Sequence, residues 1–233
     1  MLRNYLFSFI FFSGIIIISV IFLPGLLLPK KIVLFGGKIM GYWAGFCVKI
    51  ILSTEIEVKG KENIIKDRKF FIAASHQSMF ETFYLQTVFN SPVFILKKEL
   101  LQIPVFGWYL KKIGSISINR NKVTKDNLGF YDDILRIANN SDRPLIIFPQ
   151  GTRVLPDERP SFKKGATRIY QELNICCQPV AINSGFVWPK SGKKINNKTI
   201  TISILQRINN DLDKETFLKT LESKIYSELN LMN

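Results

Sequence analysis

Histidine is all but absent from this chain: His76 is the one copy among 233 residues. That scarcity excludes a zinc site built on several imidazoles, and it singles out one position where a side chain titrates near neutral pH. Cysteine is nearly as rare. Cys47 lies in an apolar segment and Cys176 and Cys177 are adjacent, so neither a disulfide framework nor a metal-binding spacing is present, which suits a reducing compartment. Acidic residues are few, with 18 Asp and Glu against 32 Lys and Arg, a formal net charge of +14. Basic excess of this size points to nucleic acid or to an anionic membrane surface. There is no zinc-finger spacing, no RNP-like aromatic pattern and no bZIP basic region, and the lysine pairs at 30/31, 97/98, 111/112, 163/164 and 193/194 are scattered along the chain. With 47% hydrophobic residues and a mean hydropathy of +0.13, the membrane is favoured and nucleic acid is not expected as a partner.

A long stretch from Tyr5 to Leu28 contains no charge and is dominated by Phe, Ile, Leu and Val. As a helix it reaches roughly 36 Å, enough for a tilted crossing of the hydrocarbon core, and no Ala-x-Ala cleavage site follows it. It reads as an uncleaved anchor. Arg3 precedes it while Lys30, Lys31 and Lys38 follow, so a crossing segment leaves the rest of the chain in the cytoplasm. Pro24 and Gly25 sit where the helix would otherwise finish, which keeps a re-entrant or interfacial arrangement open. Residues 31–52 differ in character: Lys31, Lys38 and Lys49 share one helical stripe, and Gly37, Gly41 and Gly45 form a small-xxx-small series that admits a close neighbour. The expectation is an amphipathic interfacial helix packed on the anchor, with a second membrane span as the competing reading.

From Thr54 onward the pattern is that of an α/β domain, giving a division into residues 1–53 and 54–233. Strands are expected over Glu55–Lys59, Phe70–Ala74, Pro92–Leu96, Ser115–Ile118, Pro144–Phe148, Val180–Asn183 and Thr199–Leu205. Helices are expected over Met79–Phe89, over Leu100–Lys112 with an interruption at Pro104, after a cap at Thr124, over Lys164–Leu173, and at the C-terminus, where Phe217, Leu221, Ile225 and Leu229 line one face. Pro144–Phe148 is a continuous apolar run and reads as a central strand.

His76 falls where a strand gives way to a helix, and Glu81 follows five residues later. Inside one helix these two would point about 140° apart, so a contact needs His76 outside it. Ser78-Met-Phe-Glu81 is a capping box that starts the helix at the right place and lets the carboxylate meet an imidazole on the incoming loop. Taken alone this is also what an ordinary capped helix behind a half-buried histidine looks like.

Further blocks change that balance. His76-x4-Glu81 resembles the His-x4-Asp motif of the glycerolipid acyltransferases, in particular the 1-acylglycerol-3-phosphate acyltransferases. Lys97-x2-Leu100-x6-Gly107-x12-Arg120 resembles the family's second motif, Phe148-Pro-Gln-Gly-Thr-Arg153 the third and Gln178-Pro-Val-Ala-Ile182 the fourth. The four blocks stand in the family's order across roughly residues 69 to 185. The resemblance implies a mixed central sheet flanked by helices behind an N-terminal membrane-embedded segment. It implies a fatty acyl transfer from acyl carrier protein or coenzyme A to the sn-2 hydroxyl of lysophosphatidate at a membrane surface, with the thioester as co-substrate and no metal or other cofactor.

In that scheme His76 is the general base and Glu81 orients it, and the acceptor hydroxyl attacks the thioester directly without an acyl-enzyme. Lys97, Arg120, Gly151, Thr152 and Arg153 are expected at the acceptor's phosphate. Glu81 stands where the family more often has aspartate and Gln150 where it usually has glutamate; the second change bears on acceptor selectivity or rate. Lys163 and Lys164, in Phe162-Lys-Lys-Gly165, are expected to face headgroups or the acyl carrier. The expected location is the inner (cytoplasmic) membrane, with the catalytic domain in the cytoplasm. Two other functions stay open on the same scaffold: acylation of another lysolipid such as a lyso-ornithine lipid, and non-catalytic binding of lipid or nucleic acid at a membrane.

Overall fold

The computed structural model describes residues 2–67, 69–118, 128–191 and 193–232. Two long helices open the chain, α1 (Leu2–Ile21) and α2 (Lys30–Ile51). The first stops three residues before Pro24, which has no amide hydrogen to continue the helical bonding, and the chain reverses through a tight turn at Leu23–Leu26. Both helices are long and apolar enough to cross a membrane. They pack on each other at Gly14, where any added Cβ would collide with the indole of Trp43, and the Trp43 Nε1–H donates to Phe11 O at 3.1 Å.

The domain that follows is a mixed sheet between two helical layers. Its strands are β1 (Glu55–Lys59), β2 (Phe70–Ala74), β3 (Val93–Lys97), β4 (Ile116–Ile118), β5 (Leu145–Ile147), β6 (Cys176–Ile182) and β7 (Thr199–Ile204). Their order across the sheet is β1-β7-β6-β2-β5-β3-β4. The run β6-β2-β5-β3-β4 is parallel, and β7 pairs antiparallel to β6 while carrying β1 parallel to itself. The carboxyl ends of five strands therefore meet along one edge, the usual place for a ligand in such sheets. Helices α3 (Phe80–Val88), α4 (Phe106–Lys112), α5 (Leu128–Asn140), α6 (Gly165–Leu173) and α7 (Lys214–Leu231) complete the described elements. One apolar cluster joins α1, α2 and α3 to one sheet face; a second joins α5, α6 and α7 to the other. Phe217, Leu221, Ile225 and Leu229 of α7 are all buried there.

Three details differ from the sequence reading. β6 begins at Cys176, four residues early, although Pro179 lies inside it. The missing amide is tolerated because the neighbouring chain bulges there: Leu205 N–H donates to Pro179 O, and pairing resumes only at the Cys177–Ile208 bridge. The small-residue series on α2 receives α3 of the α/β domain, with Gly37 against Gln86, Gly41 against the backbone of Phe83, and Gly45 against Tyr84. The capping box is half formed. Glu81 accepts the amide of Ser78 at 2.7 Å, but the Ser78 hydroxyl accepts from Phe80 N–H at 3.1 Å. The expected Thr124 cap lies outside the described residues.

Candidate active site

His76 follows the middle strand β2 and lies between two buried supports. Phe148, at the end of the adjacent strand β5, stacks on the imidazole with ring centroids 4.0 Å apart and planes 17° from parallel. Glu81, in the first turn of α3, places Oε1 at 3.2 Å from His76 Nδ1. The carboxylate is fully buried whereas the imidazole is 15% exposed. The same Oε1 accepts the backbone amides of Gln77 at 2.6 Å and Ser78 at 2.7 Å, and Oε2 accepts the Ser184 hydroxyl at 2.7 Å. A buried carboxylate needs such donors, and the amino end of α3 favours its charge. With Nδ1–H donating to Glu81, Nε2 keeps its lone pair for chemistry.

The backbone of His76 is held as firmly. Its N–H donates to Gln150 Oε1 at 2.6 Å, and its carbonyl accepts Val154 N–H at 2.9 Å. Gln150 is 2% exposed, and its Nε2 reaches the Tyr226 hydroxyl of α7 at 3.5 Å. That hydroxyl donates to Pro160 O at 2.5 Å, and burial pushes the phenol up to about 12, so it remains a donor at neutral pH. Gln150 thus faces inward, joining three segments behind the histidine.

In front of His76 opens a cavity of about 570 Å³, within the roughly 300–1,000 Å³ typical of small-molecule sites. Apolar side chains dominate its wall, among them Val33 and Met40 of α2, Phe83 of α3 and Phe106 and Leu110 of α4. Its cations are Lys97, at the end of β3, Arg153, in the loop after β5, and Lys190, and Thr152 adds a hydroxyl. None of the three cations has a hydrogen-bond or ion-pair partner among the described residues. Gly151 is not part of that wall. Its φ of +77° shows why the position is glycine: the turn needs a left-handed backbone, in which its amide donates to Phe148 O. Lys163 and Lys164 are exposed and also lie off the cavity. Arg120 is outside the described residues. Among the described residues no group of three or more His, Cys, Asp or Glu side chains is placed to hold a metal.

Ser184 and Lys190 were missed by the sequence reading. The signal for Ser184 was its place just after the fourth block, where a strand beside β2 delivers its next residues to the same edge as His76. Lys190 had no comparable marker.

The profile of the family described as Acyltransferase matches residues 55–183. The 1-acyl-sn-glycerol-3-phosphate acyltransferase of Pseudomonas aeruginosa is 31% identical over 159 residues, covering 64% of this chain and 59% of that protein. The protein of that name from Saccharomyces cerevisiae is 30% identical, over 70% of this chain and 55% of its own length. That from Helicobacter pylori is 30% identical over 67% of each chain. The first two matches thus span little more than half of those relatives. The crystal structure of the 1-acyl-sn-glycerophosphate acyltransferase PlsC from Thermotoga maritima superposes with a TM-score of 0.79 at 24% identity, over 98% of this chain and 95% of that one, which shows a shared fold. Because the family match covers more than half of the chain, from the start of β1 to just past the end of β6, and includes His76, Glu81 and Arg153, the chain belongs to the Acyltransferase family.

Proposed function

We propose that this protein is a 1-acylglycerol-3-phosphate O-acyltransferase that moves a fatty acyl chain from acyl carrier protein or coenzyme A to the sn-2 hydroxyl of lysophosphatidate. The observation that carries the reading is a carboxylate-held imidazole at a cavity whose wall is mostly apolar and whose cations have no partner among the described residues. That combination suits a substrate with an acyl chain, a reacting hydroxyl and a phosphate.

The acceptor hydroxyl attacks the thioester carbonyl while His76 Nε2 takes its proton. Glu81 stabilises the imidazolium without itself being protonated. Collapse of the tetrahedral intermediate breaks the C–S bond, and the imidazolium returns the proton to the departing thiolate. A thiolate leaves readily, so neither a nucleophilic side chain nor a metal or other cofactor is invoked. Lys97, Thr152 and Arg153 are assigned to the phosphate, with Arg120 as a further candidate.

Residues 1–53 are assigned to membrane docking and 54–233 to acyl transfer, at the cytoplasmic face of the inner membrane. Docking is proposed to be in-plane. Asn4, near the start of α1, is hydrogen-bonded to Lys194 N and O, and near its end Ser19 O accepts the Tyr109 hydroxyl at 2.6 Å. A helix held by the catalytic domain near both ends lies along that domain, with its exposed face, including Phe9, Ile16 and Val20, turned to lipid.

The test is His76→Ala assayed on lysophosphatidate in detergent. Turnover is expected to fall by about 10²- to 10⁴-fold with melting temperature and membrane retention unchanged. Residual activity above about a tenth of wild type would remove His76 from the general-base role.

A further inference from the structure

The segment between β3 and β4 carries apolar side chains on two sides. Inward, Leu100, Phe106, Tyr109 and Leu110 form part of the cavity wall. Outward, Ile103 is 44% exposed and Trp108 53%, and neither lines the cavity. The segment is tightly folded. Gly107 lets α4 close onto the preceding turn so tightly that a Cβ would sit 2.2 Å from Leu101 O, and Val105 is held at φ +62° between Phe106 N–H bonded to Pro104 O and Tyr109 N–H bonded to its own carbonyl. A β-branched residue rarely adopts that backbone region, so the surrounding packing must impose it. Lys97, Lys98 and Lys111 are exposed around this tip, with Glu99 as the nearby acid.

We propose that Ile103 and Trp108 form a third membrane-inserting element that sets the rim of the acyl cavity into the lipid leaflet. Two observations select a bilayer as the occupant. The patch continues the apolar face already assigned to lipid, because α4 packs on the Leu23–Leu26 turn and is bonded to Ser19 O, beside the exposed Leu23, Leu27 and Leu28. The lysine rim around a tryptophan and an isoleucine is the arrangement expected at an anionic headgroup layer. Lipid chains then reach the cavity from the bilayer without crossing water. The inference rests on the membrane-docked acyltransferase reading.

It is tested with an environment-sensitive fluorophore on Ile103→Cys in the full chain; the native Cys47, Cys176 and Cys177 are all buried, so the new thiol reacts selectively. Matching probes go on Phe9→Cys of α1 and on Lys219→Cys of α7, on the other side of the sheet. With phosphatidylglycerol–phosphatidylcholine vesicles, the probes at 103 and 9 are expected to shift to the blue and be quenched by lipids spin-labelled in the acyl chain, and the probe at 219 to stay water-like. Ile103→Asp is expected to lower turnover on vesicle-borne acceptor about tenfold and to leave turnover on a short-chain, monomeric acceptor unchanged. A water-like probe at 103 beside a quenched probe at 9 overturns the third element and leaves α1 docking intact. Water-like probes at both positions overturn in-plane docking together with this inference. A response at 103 to an acidic acyl carrier protein and not to vesicles overturns it in favour of a carrier-docking surface.

Discussion

Glu81 is the side chain on which the histidine depends most directly, and its surroundings explain how a glutamate serves in place of the aspartate of the His-x4-Asp motif that this stretch resembles. The longer side chain folds back over the start of α3, so that one oxygen collects the amides of Gln77 and Ser78 and still reaches His76, while Ser184 takes the other. Glu81→Gln keeps the shape but removes the charge that stabilises the imidazolium, and it turns an amide donor on at least one existing donor. Turnover is expected to drop about 10²- to 10⁴-fold with KM little changed; a loss confined to KM would mean that Glu81 binds acceptor instead. Gln150 belongs to the same shell. Its side-chain amide is satisfied internally, by the His76 amide on one side and the Tyr226 hydroxyl on the other. Gln150→Ala leaves that buried amide without an acceptor, a cost of about 1–3 kcal/mol visible in denaturant unfolding, and it loosens the histidine, so kcat is expected to fall while discrimination among acceptors stays as it was. A changed acceptor preference in this variant would return Gln150 to the substrate side. Arg153 is the contrasting case, half-exposed on the cavity wall. Arg153→Ala is expected to raise KM for lysophosphatidate by about 1.5–3 kcal/mol in RT ln units and to matter much less for a lyso-ornithine acceptor. Equal penalties on the two acceptors would refute a phosphate site there.

At the scale of elements, what the sequence made legible was what local physics decides. Apolar runs bounded by polar turns located the seven strands of the described residues, and the 3.6-residue period of Phe217, Leu221, Ile225 and Leu229 located α7 with its buried face. The strand order was not legible, since it depends on which apolar face meets which layer. Hence Ser184 was marked only by its place after the fourth block, and Lys190, brought to the site by the fold rather than by spacing, was invisible. Arg143 is another such residue. It sits in an unremarked polar turn before β5, yet its guanidinium donates to the carbonyls of Ser91, Pro92 and Ile113, tying the starts of β3 and β5 to the end of α4. Burial lowers its pKa to about 10, which still leaves it charged at neutral pH. Gly41 was legible as a close-approach residue but its partner was not. A Cβ there would lie 2.7 Å from Phe83 O in the middle of α3, the helix that carries Glu81. Gly41→Ala is therefore expected to cost about 1–3 kcal/mol, lowering the melting temperature by roughly 2–10 °C, and to reduce kcat by displacing α3. An unchanged melting temperature would show that the two helices do not touch at that point.

For the molecule as a whole, the issue is whether the N-terminal helices are a tether or a part of the fold. A tether can be cut away, and the sequence alone invites that reading, since the uncharged stretch ends at Pro29 and the α/β pattern begins only at Thr54. The packing argues otherwise. Phe7 and Phe11 are fully buried, and Trp188, from the loop before β7, meets both rings edge-on at centroid distances of 4.9 Å. Lys194 from the same loop extends over the Phe7 ring and bonds Ser8. Stripping Phe7, Phe11 and Ile18 from this core forfeits about 1.5–3 kcal/mol each, a sum on the scale of the 5–15 kcal/mol that holds a whole domain together. A chain lacking residues 1–29 is expected to aggregate or to lose its melting transition in detergent; a folded, active truncation would make α1 a dispensable tether. The in-plane arrangement has its own test, because both ends of α1 then lie on the domain's side of the bilayer. Leu2 and Lys30, the latter at the turn that follows α1, are both exposed, and the native thiols are buried. A membrane-impermeant maleimide added to sealed vesicles on the domain's side should label Leu2→Cys and Lys30→Cys alike. Labelling of one from each side would make α1 a true span, and with it the contacts of Asn4 and Ser19 to the catalytic domain could not both persist in the membrane.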